Sequence, residues 1–211
     1  MEKEKKKQGI AKMSIVFMNC ILITIAIALA VFLVVLNKDK TNHEKRENTD
    51  IQFITEEVNI QIDEERMKNY VSEKLGVKIK YDKDLEKVSE INDNTMYNNI
   101  GMFRKEGNEG LHIIIGNLSE DIALEDYMYA SVEAIRNSNG LTKEDIVVIK
   151  DNVKMGELEA FKLRYKVDGI YFYQMITIKD KKEYVVTYSA EEKFYDKSKA
   201  DNMFSTFEFI S

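Results

Sequence analysis

His112 and a scatter of carboxylates are the groups from which acid–base or metal chemistry would have to be built; His43 is the other histidine and Cys20 the lone cysteine. Nucleophilic catalysis needs a base beside the nucleophile. No Gly-x-Ser-x-Gly elbow occurs, and His112 sits in the run Leu111-His112-Ile113-Ile114-Ile115, which reads as a strand. A structural or surface histidine is expected there. Zinc needs clustered Cys and His ligands, which one histidine cannot supply. Glu120-Asp121 and Glu125-Asp126 flank a predicted helix start, where negative charge complements the helix dipole. No Asp-x-Asp-x-Asp-Gly loop and no phosphate-cradling glycine loop accompanies them. The sequence therefore assigns no catalytic residue, cofactor or metal ligand, and the expectation is a chain that is not an enzyme.

What remains is a surface. Lys162, Arg164 and Lys166 alternate with Phe161, Leu163, Tyr165 and Val167, so the apolar members should face a core and the basic members solvent. Tyr171 and Tyr173 oppose Phe172 on the next predicted strand. If the basic and tyrosine faces coincide, these five residues make a candidate partner surface.

The elements that position them follow from periodicity and turn chemistry. Residues 77–81 alternate as a half-buried strand, preceded over 63–76 either by a helix capped by Asp63 or by the first arm of a hairpin turning at 73–76. Residues 51–62 read as a strand or as part of a stalk. Strands are predicted at 97–104 and 111–117, then a helix over 124–137 whose stripe is Leu124, Tyr127, Met128, Ser131, Val132 and Ile135, stopped by Gly140. Strands follow at 146–153, 159–167, 170–179 and 183–190, with a hairpin turn at Asp168-Gly169 and a second turn at Asp180-Lys181-Lys182. A helix over 191–203 and a strand over 206–210 close the chain. This order is α+β: a mostly antiparallel sheet covered by helices.

Residues 15–36 carry no charge, and 15 of these 22 residues are Ile, Leu, Val or Phe. At 1.5 Å per residue they span ~33 Å, enough for a hydrocarbon core of ~30 Å. Insertion is favoured by roughly 4.5–9 kcal/mol from those residues. The apolar run is too long for a cleaved leader and continues past Ala26, Ala28 and Ala30, so an uncleaved anchor is expected, with Cys20 facing lipid. Five lysines precede the span, and the positive-inside rule places residues 1–14 in the cytoplasm and the rest outside. Residues 37–62 are a polar linker or stalk and 63–211 the folded domain. Beyond residue 14 the chain holds 26 basic and 35 acidic residues, a net of −9. Nothing so acidic gains counterion-release energy on nucleic acid, and nucleic-acid binding is not expected.

Several local patterns resemble the PsbP-like family over about residues 69–211. They are a short strand with a glycine turn before Val77-Lys78-Ile79-Lys80-Tyr81-Asp82, the helix start Leu124-Glu125-Asp126-Tyr127, and Met155-Gly156-Glu157-Leu158-Glu159-Ala160-Phe161-Lys162-Leu163. Tyr184-Val185-Val186-Thr187-Tyr188-Ser189-Ala190 and the closing Phe204-Ser205-Thr206-Phe207-Glu208-Phe209 complete the likeness. The resemblance implies an α/β/α sandwich. Members serve as accessory proteins of the photosynthetic oxygen-evolving machinery, as Ran-binding proteins and as bacterial exported proteins, so the fold alone implies no single activity. The expectation is an extracytoplasmic binding or accessory module on an unidentified envelope protein; a small-ligand or metal-ion binding domain is the alternative.

Overall fold

The computed structural model describes residues 51–56, 60, 62–92 (87–92 by backbone), 97–104, 106–142 and 144–210. The predicted basic tail, apolar span and most of the linker, with Cys20 and His43, lie outside these residues. Among the described residues no helix is long and apolar enough to cross a membrane.

The centre is a meander of β10 (Phe161–Val167), β11 (Ile170–Lys179) and β12 (Lys182–Glu191). Its first turn is the Asp168-Gly169 pair, at φ 50° and 80°. Left-handed backbone at both central residues matches the right-handed strand twist. The second turn is tighter than expected: Lys179 already pairs with Lys182, leaving only Asp180 and Lys181, at φ 52° and 56°. β12 also pairs with β6 (Gly110–Asn117), which continues to β5 (Tyr97–Phe103) and β4 (Glu86–Asn92). On the other side β10 pairs with β7 (Val147–Ile149), and β7 takes β1 (Gln52–Phe53) in parallel. The eight strands run β1-β7-β10-β11-β12-β6-β5-β4. β4 pairs with a register shift between Lys87 and Ser89.

Both faces of this sheet are covered. Phe161, Leu163, Tyr165, Phe172, Ile176 and Val185 pack with helix α1 (Leu124–Asn139) through Tyr127, Met128, Val132 and Ile135. Gly140, at φ 65°, closes α1 as the sequence suggests. On the opposite face Met175, Tyr184, Val186, Tyr188 and Ile113 pack with a small sheet and helix α2 (Lys197–Phe204). The small sheet orders β13 (Glu208–Phe209), β3 (Val77–Asp82) and β2 (Met67–Ser72). The expected α+β class, with helices over a mostly antiparallel sheet, is what forms.

Several boundaries differ. Residues 63–76 take the hairpin alternative, and Asp63 caps only one 3-10 turn, Glu64–Arg66, before β2. The strand expected over 146–153 stops at Ile149, because Asn152 turns at φ 59° into a separate ribbon of β8 (Lys154–Met155) and β9 (Leu158–Glu159). The helix expected over 191–203 starts later. β12 holds Glu191 opposite Ile170, Glu192–Phe194 form a 3-10 turn, and the Asp196 side chain then accepts from the Lys199 amide (3.1 Å) to cap α2. β4 was not foreseen; its sequence is polar and its register broken. Of residues 51–62, Gln52–Phe53 form a strand.

Candidate functional site

Alternation along β10 and a two-residue turn force the two predicted sets onto one face: Arg164 lies opposite Tyr173 and Lys166 opposite Tyr171. The conditional expectation, that basic and tyrosine faces coincide, is met. Solvation of the whole basic face is not. α2 crosses that face, and Lys162 (7% exposed) and Tyr173 (0%) are buried beneath it. The charge of Lys162 is met there by Asp201 at 2.6 Å, whose same oxygen accepts from the Tyr173 hydroxyl at 3.0 Å. Arg164 is half-buried and reaches Glu56 at 3.1 Å. Lys166, nearest the turn, pairs with exposed Glu192 at 2.8 Å. Tyr171 stacks on Tyr195 (4.8 Å between ring centres), with the Lys166 ammonium 4.9 Å from the Tyr171 ring. The five residues thus grade from a sealed interior at Lys162 and Tyr173 to an accessible strip at Lys166 and Tyr171.

α2 brings the counter-ions. Ala200, Asp201, Met203 and Phe204 are its buried residues, and Lys197 and Lys199 reach carboxylates on either side of it. Lys197 bridges Asp201 and Glu56, both at 2.7 Å. Lys199 bridges Glu109 (2.6 Å) and Asp82 (3.1 Å). Glu109, 1% exposed, also meets Arg104 at 3.0 Å and accepts from Tyr188 at 2.8 Å. Burial alone would raise the Asp201 and Asp82 carboxyls. For Asp201 the bonds from Lys162 and Lys197 outweigh it; for Asp82 the Asp84 amide, Lys199 and Arg66 do. Both stay below the usual carboxylate range. Burial likewise opposes the Lys197 charge, but Asp201 and Glu56 hold its ammonium above its ordinary value.

The sequence alone does not single out these counter-ions. Lys197 and Asp201 at i, i+4 were visible as a helical pair, but Lys162 and Asp201 are 39 residues apart and Arg164 and Glu56 are 108 apart. No local pattern links them.

The face toward α1 treats titratable groups differently. Glu183 is bonded by the Tyr127 hydroxyl, and burial pushes its carboxyl up to about 8. A side chain at Gly116 would collide with that carboxylate, so glycine is needed opposite it. His112 is fully buried, its ring edge-on to Phe103 at 4.4 Å, and burial lowers it to about 3. At neutral pH it is an uncharged core group, in keeping with the structural reading. Among the described residues no group of three or more His, Cys, Asp or Glu is placed to hold a metal ion.

No protein-family model and no curated protein matches the chain. Solved structures do. The solution structure of cyanobacterial PsbP (CyanoP) from Synechocystis sp. PCC 6803 is similar at a TM-score of 0.50 and 17% identity, over 68% of this chain and 92% of that one. A crystal structure from Bacteroides thetaiotaomicron VPI-5482 is similar at a TM-score of 0.44 and 14% identity, over 69% of this chain and 49% of that one. The fold is PsbP-like.

Proposed function

We propose, with the PsbP-like fold as premise, that this chain is a membrane-anchored, extracytoplasmic accessory module that binds protein and catalyses nothing. The uncharged run over 15–36 and the five lysines before it support an anchor with the domain outside. The observation that carries the binding role is the partly exposed strip of Lys166 and Tyr171, backed by half-buried Tyr195 and bordered by Arg164. Its two tyrosines are already stacked and its lysine already placed over a ring. Aromatic residues and arginine are enriched in interface cores, and a preformed stack loses little freedom on docking.

The test is crosslinking in cells from a photoreactive group at position 166, placed in the otherwise wild-type chain and, for comparison, in a Tyr171→Ala variant. A discrete protein adduct with the wild type, lost in the variant while the domain stays folded, is expected. An absence of any discrete adduct overturns the binding role. Digestion of a C-terminal tag by protease added to intact cells is expected for an outside domain. Protection that persists after any outer layer is opened overturns the orientation.

A further inference from the structure

Gln52–Phe53 and the three residues after them form a strap along the free edge of β7. Gln52 and Phe53 lie in register with Val147 and Val148, and the Ile54 amide donates to the Val148 carbonyl at 3.0 Å. The Thr55 hydroxyl donates to Asp151 at 3.0 Å. The strap ends by inserting the Glu56 carboxylate, whose side chain is 16% exposed, between Arg164 (3.1 Å) and Lys197 (2.7 Å).

The charge count around that carboxylate is uneven. Lys162, Arg164 and Lys197 supply three cations. Asp201, built into α2, is shared by Lys162 and Lys197, and the second anion is Glu56, which the strap provides to Arg164 and Lys197. With the strap lifted, half-buried Arg164 would lose its carboxylate and Lys197 would keep only Asp201, shared with Lys162, so three cations would face one carboxylate, a costly state that an incoming anion relieves. Lifting the strap would also bare the N–H and C=O groups of the β7 edge that Gln52–Ile54 now occupy, a template for an extended chain. The strap's strand pairing is short: it is a two-residue parallel strand whose Phe53 is 40% exposed.

We infer that Arg164, Lys197 and the β7 edge form a recognition site for an extended acidic peptide segment of a partner protein, and that Glu56 is the resident stand-in for that segment's carboxylate. The site rests on the protein-binding role above and gives its partner a chemistry: backbone pairing along β7, with an acidic side chain three residues beyond the last paired position. Arg164 can hold a carboxylate through its planar fork while Lys197 adds a point charge.

The experiment uses the full chain in detergent, as wild type and as Glu56→Gln. The probe is a fluorescent, end-capped peptide Ile-Gln-Phe-Ile-Thr-Glu, with a second version ending in Gln. The acidic peptide is expected to bind the Glu56→Gln chain about tenfold or more tighter than the wild type, and about tenfold tighter than the Gln peptide does, as for one charge-assisted contact. Adding Arg164→Gln should abolish that preference. Equal binding of the two peptides, or no gain on Glu56→Gln, overturns the site. Should Glu56→Gln fail to fold, hydrogen exchange on the wild type decides: an Ile54 amide as protected as those of β11 would overturn an exchangeable strap. Loss of peptide binding with the position-166 adducts intact removes only this site. Peptide binding without adducts removes the earlier role and leaves the site standing.

Discussion

The two faces of the central sheet bury titratable groups to the same depth and treat their charge in opposite ways. Toward α1, Glu183 and His112 are 1% and 0% exposed, and burial drives both toward neutrality. Toward α2, Asp201 and Glu109 are 4% and 1% exposed, yet Asp201 is held below the normal carboxylate range and Glu109 is ion-paired twice. The strands are the same; the covering helix differs. α1 lays an apolar stripe on the sheet, whereas α2 presents Lys197, Lys199 and Asp201 at alternate positions. Burial therefore does not decide whether a group keeps its charge; a supply of opposite charge within reach does.

The largest effect that breaks this contrast is expected from Lys162→Met. It removes one of the two cations on a buried carboxylate and should cost about 3–5 kcal/mol in urea unfolding. Combining it with Asp201→Leu should recover most of that loss, because the apolar pair leaves no buried charge unanswered. A double variant as weak as the single one would show that the α2 face does not depend on matched charge.

Next is Glu183→Gln. The folded carboxyl titrates near 8 against 4.5 when unfolded. Between those values the unfolded chain gives up a proton that the folded one keeps, so wild-type stability falls as pH rises through the window. The Gln variant loses that slope and should gain on the wild type by roughly 3–4 kcal/mol at pH 8. His112 acts with the opposite sign: its folded value near 3 against 6.5 makes stability fall as pH drops from 6.5. Between pH 4.5 and 6.5 the two slopes oppose each other in the wild type, so Glu183→Gln should unmask there a stability that climbs with pH. Denaturation curves across that range check it, and an unchanged slope would mean that Glu183 is already ionised in the fold.

The smallest effect is expected from Lys166→Ala. Lys166 lies on the same strand and face as Lys162, but its pair with Glu192 is solvent-exposed, and such pairs contribute little. The unfolding midpoint should stay where it is. A clear drop would extend the buried behaviour of Lys162 to the rim and remove the gradient along β10.

The meander, α1 and the sharing of one face by basic and tyrosine residues could be read from the chain because they depend on neighbours. Period-two alternation, a Gly-containing turn and a 3.6-residue stripe are local signals. The lid over Lys162 could not. A basic residue flanked by Phe161 and Leu163 looks solvated until a helix some 35 residues later is known to cross it, and nothing near Lys162 announces Asp201. That helix starts later than its sequence suggests because Glu191–Phe194 suits a helix in composition, while Glu191 pairs with Ile170 in β12 and the next three residues form a 3-10 turn. β4 is hidden for a related reason: its shifted register breaks the alternation by which a strand is recognised.

That shift has a consequence for how such domains tolerate crowding. An open sheet edge invites another copy to add its strand, and sheets joined in this way grow without limit. Here the β4 edge is out of step between Lys87 and Ser89, so an incoming straight strand would find its hydrogen-bonding groups in phase on one side of the break and out of phase on the other. The opposite edge ends in a strand of two residues, too short to seed a neighbour. With the strap in place, neither edge of the eight-stranded sheet offers a long, in-phase template to a second copy.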